Sequence, residues 1–157
     1  MNFNLRPATQ SDSRAIRRLI RSAHINPTGL DWRRFVLATL PSGELIGCGQ
    51  VKTHQDNSRE LASIAVVQEF QGEGVARALI EHLISIHPLP LYLTCRAELE
   101  SLYTKFGFKV LLQHEMPPYF RRIQRLASLI KTLRLIKEDL LVMRLSDHRE
   151  TAQIDEI

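Results

Sequence analysis

Cysteine is scarce in this sequence. Cys48 and Cys95 are the only two among 157 residues. Both sit in apolar, strand-like runs without metal-ligand spacing. A disulfide scaffold and a zinc-knot fold are excluded, and the thiols read as reduced and buried. Aromatic residues make up 6% of the chain, without the pattern of a platform that stacks single-stranded RNA, and no nucleic acid is expected as a partner. No apolar run approaches the roughly 20 residues a membrane span needs. The opening MNFNLRPATQ lacks the charged-then-apolar layout of a secretory leader, so a cytoplasmic protein is expected. The charge excess is small: 21 Lys and Arg against 17 Asp and Glu leave +4, which admits an anionic ligand without demanding one. The six histidines show no ligand spacing, and no metal is expected. His54 in a turn and His114 after a strand are open to assisting proton transfer, or to surface and packing roles.

With 44% apolar and 24% charged residues, the chain suits one domain with its own core. That single domain is expected over 1–145, with a polar tail, SDHRETAQIDEI, over 146–157. NFNLRPA alternates Phe3 and Leu5 and predicts a first strand. Thr9 and Asp12 have the form of a capping box with Asp in place of Glu. The helix that follows carries Ala15, Ile16, Leu19 and Ile20 on one side and Arg14, Arg17, Arg18 and Arg21 on the other. NPTGLDW predicts a loop or a broken short helix. RRFVLATL, ELIGCGQVKT and RELASIAVV, joined by PSG and HQDNS, predict an antiparallel meander. A helix over about Gly72 to Ser85 has the stripe Ala76, Leu79, Ile80, Leu83 and Ile84, and HPLP stops it. LYLTC predicts a short buried strand, AELESLYTKF a helix ending at Gly107, and FKVLLQ another strand. A basic helix is predicted from about Pro118 to Ile136, with stripe Ile123, Leu126, Ile130 and Leu133, and DLLVMRL is a last strand. The fold class is therefore α/β, a mixed central sheet of about seven strands flanked by helices. IAVV and LYLTC should be parallel across a right-handed crossover.

One stretch joins a strand to a helix through two glycines: VVQEFQGEGVARALIEHL, residues 66–83. The first N–H groups of a helix have no acceptor inside it and sit at the positive end of its dipole. Glycines there let a backbone approach a phosphate. The dinucleotide fingerprint fails, because Arg77 stands where a third glycine belongs. The P-loop fails for want of Gly-Lys-Ser/Thr. Two glycines alone also suit a plain tight turn.

QGEGVA resembles the Gln/Arg-x-x-Gly-x-Gly/Ala signature of the GNAT superfamily, the acetyl-CoA-dependent N-acetyltransferases. Gln71, Gly72, Gly74 and Ala76 match it. LYTKFGFKV resembles the family's second signature, Tyr-x-x-x-Gly-Phe, and the order of predicted elements agrees over nearly all of 3–145. The resemblance implies the GNAT fold, with acetyl-CoA as co-substrate. It places the coenzyme's pyrophosphate on Gln71, Gly72, Glu73, Gly74, Val75 and Ala76, and its thioester oxygen near backbone N–H groups of Ile64, Ala65 and Val66. Two residues depart from the pattern. Glu73 stands where the family often has a basic residue, and Arg96 where many members have an asparagine ahead of the tyrosine.

Acetyl transfer to an amine needs an acceptor for the ammonium proton, donors for the oxyanion and a proton for the departing thiolate. By the resemblance, Glu60 takes the place of the glutamate base of histone-type members and Tyr103 that of the tyrosine acid. Glu60 also reads as a solvated strand-end charge beside Arg59, and Tyr103 as a packing residue of its helix. Cys95 is assigned no role, since no covalent intermediate is needed. Trp32, Tyr119 and Phe120 are candidates for holding the amine acceptor, whether peptide, protein or small amine, and equally for packing. The basic helix could meet an acidic protein, a membrane surface or RNA, or simply present a solvated face. Monomer and homodimer are both open. The alternative to an enzyme is a non-catalytic acyl-CoA-binding or protein-interaction module on the same fold.

Overall fold

A computed structural model describes residues 1–133 and 139–147 of the chain. The predicted tail therefore lies outside the described residues from 148 onward, as does the end of the basic helix from 134. Seven strands and four α-helices are described. The strands are β1 (Asn4–Pro7), β2 (Phe35–Thr39), β3 (Leu45–Thr53), β4 (Arg59–Val66), β5 (Leu91–Arg96), β6 (Lys109–Val110) and β7 (Leu140–Leu145). The helices are α1 (Ser13–Ser22), α2 (Val75–Ile86), α3 (Glu100–Thr104) and α4 (Pro118–Thr132). The strands hydrogen-bond in the order β1-β2-β3-β4-β5-β7-β6. Among the described residues, no helix is long and apolar enough to cross a membrane.

The chain packs as two compact units, one of residues 1–52 with 61–87, the other of 53–60 with the described residues from 88 onward. In the first, period-2 alternation divides the sheet between two helices. Phe35, Leu37, Cys48 and Ala65 join Ile16, Leu19 and Ile20 of α1 in one apolar cluster. On the opposite face, Val36 and Ala38 stand opposite Gly49 and Gly47 in the β2–β3 ladder. A Cβ on Gly47 would come within 2.8 Å of Val75 and one on Gly49 within 2.9 Å of Leu83. These glycines let α2 lie directly against β3. Asp12 anchors the start of α1. Its carboxylate accepts from Thr9 N–H at 2.7 Å and from both Arg6 terminal nitrogens at 2.9 Å. Those donors outweigh desolvation and hold its carboxyl well below the usual range.

In the second unit, Glu60 at the start of β4 pairs in parallel with Tyr92 of β5. The two strands are thus parallel, as expected. β5 pairs antiparallel with β7, and β7 with β6. Phe120 of α4 joins Leu111, Met116 and Val142 in an apolar cluster over these strands.

Several predicted bounds shift for local reasons. The second helix begins at Val75 rather than Gly72, because Gly72 and Gly74 take positive φ. AELESLYTKF divides into a 3-10 turn over Ala97–Leu99 and α3. FKVLLQ pairs as a strand only over Lys109–Val110, and the Glu115 carboxylate takes the Leu112 N–H at 2.7 Å as the chain turns away. The expected stripe of α4 is only partly covered: Leu126 and Leu133 are exposed, and Phe120 is the fully buried residue of this helix.

Candidate functional site

The turn between β4 and α2 is shaped by its own residues. Gln71 Nε2 donates to the Val66 carbonyl at 3.2 Å and ties the turn to the end of β4. Gly72 and Gly74 have φ of +83° and +82°, where a Cβ costs roughly 1–2 kcal/mol. A Cβ at either would meet nothing within 4 Å, so conformation, not crowding, calls for glycine. The bond from Ala78 N–H to the Gly74 carbonyl, at 3.0 Å, opens the helical series. The N–H groups of Val75, Ala76 and Arg77 precede it and have no acceptor inside α2. This is a backbone cradle suited to an anion. Glu73 is exposed beside it.

Just ahead, β4 departs from regular geometry at Ser63, a buried non-glycine residue with φ of +58°. Gln50 Nε2 donates to its hydroxyl at 2.9 Å. Val67 N–H bonds to the Ile46 carbonyl of β3 at 2.9 Å. Cys48 Sγ reaches the Ser63 carbonyl at 3.8 Å, and burial pushes its thiol up to about 12. Val67 N–H faces β3 and by period-2 alternation Ala65 N–H faces it too, away from the side where the oxyanion donors are expected. Strand alternation turns Ile64 and Val66 N–H the other way.

Glu60 lies in a different setting. It is 7% exposed. Its Oε2 is 2.8 Å from His54 Nε2, and its Oε1 accepts from the Thr94 hydroxyl at 3.3 Å. The solvated-charge reading of Glu60 is thus wrong. The imidazole stacks on Tyr119 with centroids 3.4 Å apart and planes at 14°, and it meets the edge of Phe120 at 5.8 Å. Phe120 in turn stacks with Tyr92 at 5.2 Å. The loop carrying His54 is pinned to α4. Asp56 Oδ2 accepts the Tyr119 backbone N–H at 2.9 Å, and Oδ1 accepts Ser58 N–H at 3.0 Å. Burial works to raise the Asp56 carboxyl, but these donors and the Ser58 hydroxyl, helped by His54, hold it below its ordinary value. The Tyr119 phenol is raised by burial and then by Glu60 and Asp56, with Arg122 opposing. Asp56 thus satisfies an N–H that the first turn of α4 leaves without a helical partner. Among the described residues, no group of His, Cys, Asp and Glu is placed to hold a metal.

The model of the acetyltransferase (GNAT) domain matches residues 31–110. This chain belongs to the GNAT acetyltransferase family. Solved structures agree on the fold. The N-acetylglutamate synthase of Neisseria gonorrhoeae, complexed with coenzyme A and N-acetyl-glutamate, is 22% identical with a TM-score of 0.71; the match covers 94% of this chain and 36% of that one. The present chain therefore spans about a third of that enzyme's length. The ribosomal-protein-S18-alanine N-acetyltransferase of Escherichia coli is 22% identical with a TM-score of 0.65, covering 92% of this chain and 94% of its own. The Rv2747 protein of Mycobacterium tuberculosis, in complex with CoA and NLQ, is 20% identical with a TM-score of 0.70, covering 92% and 99%. No curated protein sequence matches this chain.

The remaining expected residues of this GNAT chain fall in varied places. Tyr103 lies in α3 and meets Phe108 edge-on at 6.1 Å. Burial, and then the Cys95 thiol, push its phenol up to about 12. Trp32 stands in a 3-10 turn, packed partly against the α1 cluster with the Arg33 guanidinium 4.9 Å over its ring. Phe120 is fully buried, so it floors the His54 stack and cannot be the contact surface for an acceptor that was expected of it. Tyr119 is only partly buried. Arg96 is exposed at the end of β5. The His54–Glu60 pair was not foreseen. The signal for it was HQDNS itself: residues flanking a tight turn between neighbouring strands are brought side by side.

Proposed function

We propose that this GNAT protein is an acetyl-CoA-dependent N-acetyltransferase that moves acetyl directly to a primary amine of a peptide, protein or small molecule. The observation that carries the reading is the Gln71–Ala76 turn. Two left-handed glycines open the N-terminus of α2, and three N–H groups there have no helical acceptor. The residues present fit a pyrophosphate. The coenzyme A bound in related structures points the same way.

When bound, acetyl-CoA supplies the electrophilic thioester carbonyl. Val75, Ala76 and Arg77 N–H would hold the pyrophosphate, with Gln71 bracing the turn from below. Ile64 and Val66 N–H are the donors for the oxyanion. The Glu60–His54 pair accepts the ammonium proton, and Tyr119 is the candidate acceptor contact. Tyr103, at about 12, stays protonated at any working pH. An alkyl thiol near about 8.5 is the stronger acid. The phenol therefore donates a hydrogen bond to the thiolate more readily than it surrenders its proton.

Calorimetric titration with acetyl-CoA, using Gly74→Glu as control, tests the reading. Micromolar binding, lost in the variant, supports it, and a screen for amine-dependent release of free CoA then follows. A second reading, a non-catalytic acyl-CoA-binding module, draws on Glu73, whose carboxylate borders the anion cradle and opposes a phosphate. Intact binding without turnover on any amine would favour that reading. An enzyme of this kind is expected in the cytoplasm, which cell fractionation checks.

A further inference from the structure

Glu60 is badly placed to take a proton itself. It is 7% exposed, and each of its oxygens already has a partner, His54 Nε2 on one and the Thr94 hydroxyl on the other. The reachable atom lies one residue further out. His54 Nδ1 has no hydrogen-bond partner among the described residues and is not one of the buried unpartnered atoms, so in a side chain 12% exposed it is the nitrogen that keeps contact with solvent. The ring cannot turn freely, because Tyr119 covers one face at 3.4 Å and Phe120 meets it edge-on. Its loop cannot swing freely, because Asp56 is tied to the Tyr119 N–H.

Resting on the N-acetyltransferase reading above, we propose that His54 Nδ1 is the general base of this protein, and that Glu60 is a positioning residue. The Glu60 carboxylate accepts Nε2–H, fixes the tautomer that leaves Nδ1 with its lone pair, and stabilises the imidazolium formed on protonation. The proton count balances. The substrate ammonium gives one proton to Nδ1, which passes it to water. The amine lone pair attacks the thioester carbon, the C–S bond breaks, and sulfur leaves with the electron pair. The second proton, lost by the tetrahedral nitrogen, ends on the thiolate.

The charged and titratable groups facing His54 are Glu60 from β4, Asp56 from its own loop and Tyr119 from α4, with Arg122 acting on that phenol. The deciding variant is His54→Gln. A glutamine amide N–H can replace Nε2–H towards Glu60, so a purely structural role would survive, whereas the base is gone. Amine-dependent CoA release is measured with acetyl-CoA and a panel of peptide α-amines, peptide lysines, amino acids and polyamines. We expect kcat to fall at least roughly 100-fold in the variant, with acetyl-CoA affinity unchanged and the acidic limb of the rate profile lost. Partial recovery of His54→Ala by added imidazole, but none of Glu60→Ala, is also expected. Activity of His54→Gln within threefold of the unsubstituted protein overturns the proposal. So does a long-range 1H–15N spectrum in which neutral His54 carries its proton on Nδ1. That spectrum needs no substrate. Absence of turnover on the whole panel by the unsubstituted protein overturns the transferase reading, and the base role with it, while the tautomer still reports whether the Glu60–His54 geometry stands.

Discussion

The turn from Gln71 to Ala76 works through its backbone, and the cluster around Glu60 through its side chains. The first needs six consecutive residues, two of them glycines at φ near +80°, and its useful groups are N–H donors that every non-proline residue owns. The second assembles His54, Glu60, Tyr92, Thr94, Tyr119 and Phe120, residues spread over 67 positions of chain. A local turn of this kind fails by a change of backbone conformation. A cluster of distant side chains fails by a loss of packing. The two regions therefore predict different responses to mutation.

The largest effect is expected at Phe120. Its ring is fully buried between Val142, Tyr92 and His54, and Phe120→Ala should cost about 3–5 kcal/mol of stability, measured by urea denaturation. A loss below about 1 kcal/mol would break the contrast, because the cluster would then not depend on packing. Gly74→Val comes next. A β-branched residue strains badly at φ of +82°, so acetyl-CoA affinity should fall at least roughly 30-fold, with a stability loss of only about 1–2 kcal/mol. Unchanged affinity in calorimetry would separate the turn from coenzyme binding. Tyr103→Phe should lower kcat about tenfold, below the usual range for full proton transfer, and leave acetyl-CoA affinity alone. A 1,000-fold loss would show that the buried phenol does deliver its proton.

The smallest effect belongs to an ion pair in neither region. Asp12→Asn removes the carboxylate that Arg6 and Thr9 hold and, as the loss of a partly exposed ion pair, should cost about 0.5–1 kcal/mol at pH 7. Folding lowers this carboxyl's pKa, so its contribution is full above the unfolded value near about 3.9 and fades as pH falls through the folded one. The difference between variant and parent in thermal unfolding should thus shrink steadily below pH 4. A difference independent of pH would assign the effect to shape rather than charge.

Legibility in the sequence followed the range of each interaction. The stripe of α2 was plain because Leu79, Ile80 and Leu83 repeat at helical spacing and are all buried. The capping pair Thr9 and Asp12 was plain because three residues separate its members. The start of α2 was misplaced by three residues, since two glycines suit a helix mouth and a left-handed turn equally well in a string of letters. The outer stripe of α4 misled for the opposite reason. Leu126 and Leu133 keep helical periodicity yet are exposed, because periodicity reports which residues share a face and not whether anything covers it.

Chain order and residue chemistry alone were enough to determine the α/β class, the glycine turn and the family signature, because each is written within a few neighbouring residues. Tertiary structure decided what Glu60 is. Its chemistry depends on His54 across a turn, on Thr94 one strand over and on the Tyr119 and Phe120 rings of a helix some 60 residues later. A carboxylate's role is set by its solvation and by the donors that reach it. Those are properties of the place where the fold puts the side chain, and no stretch of sequence carries them.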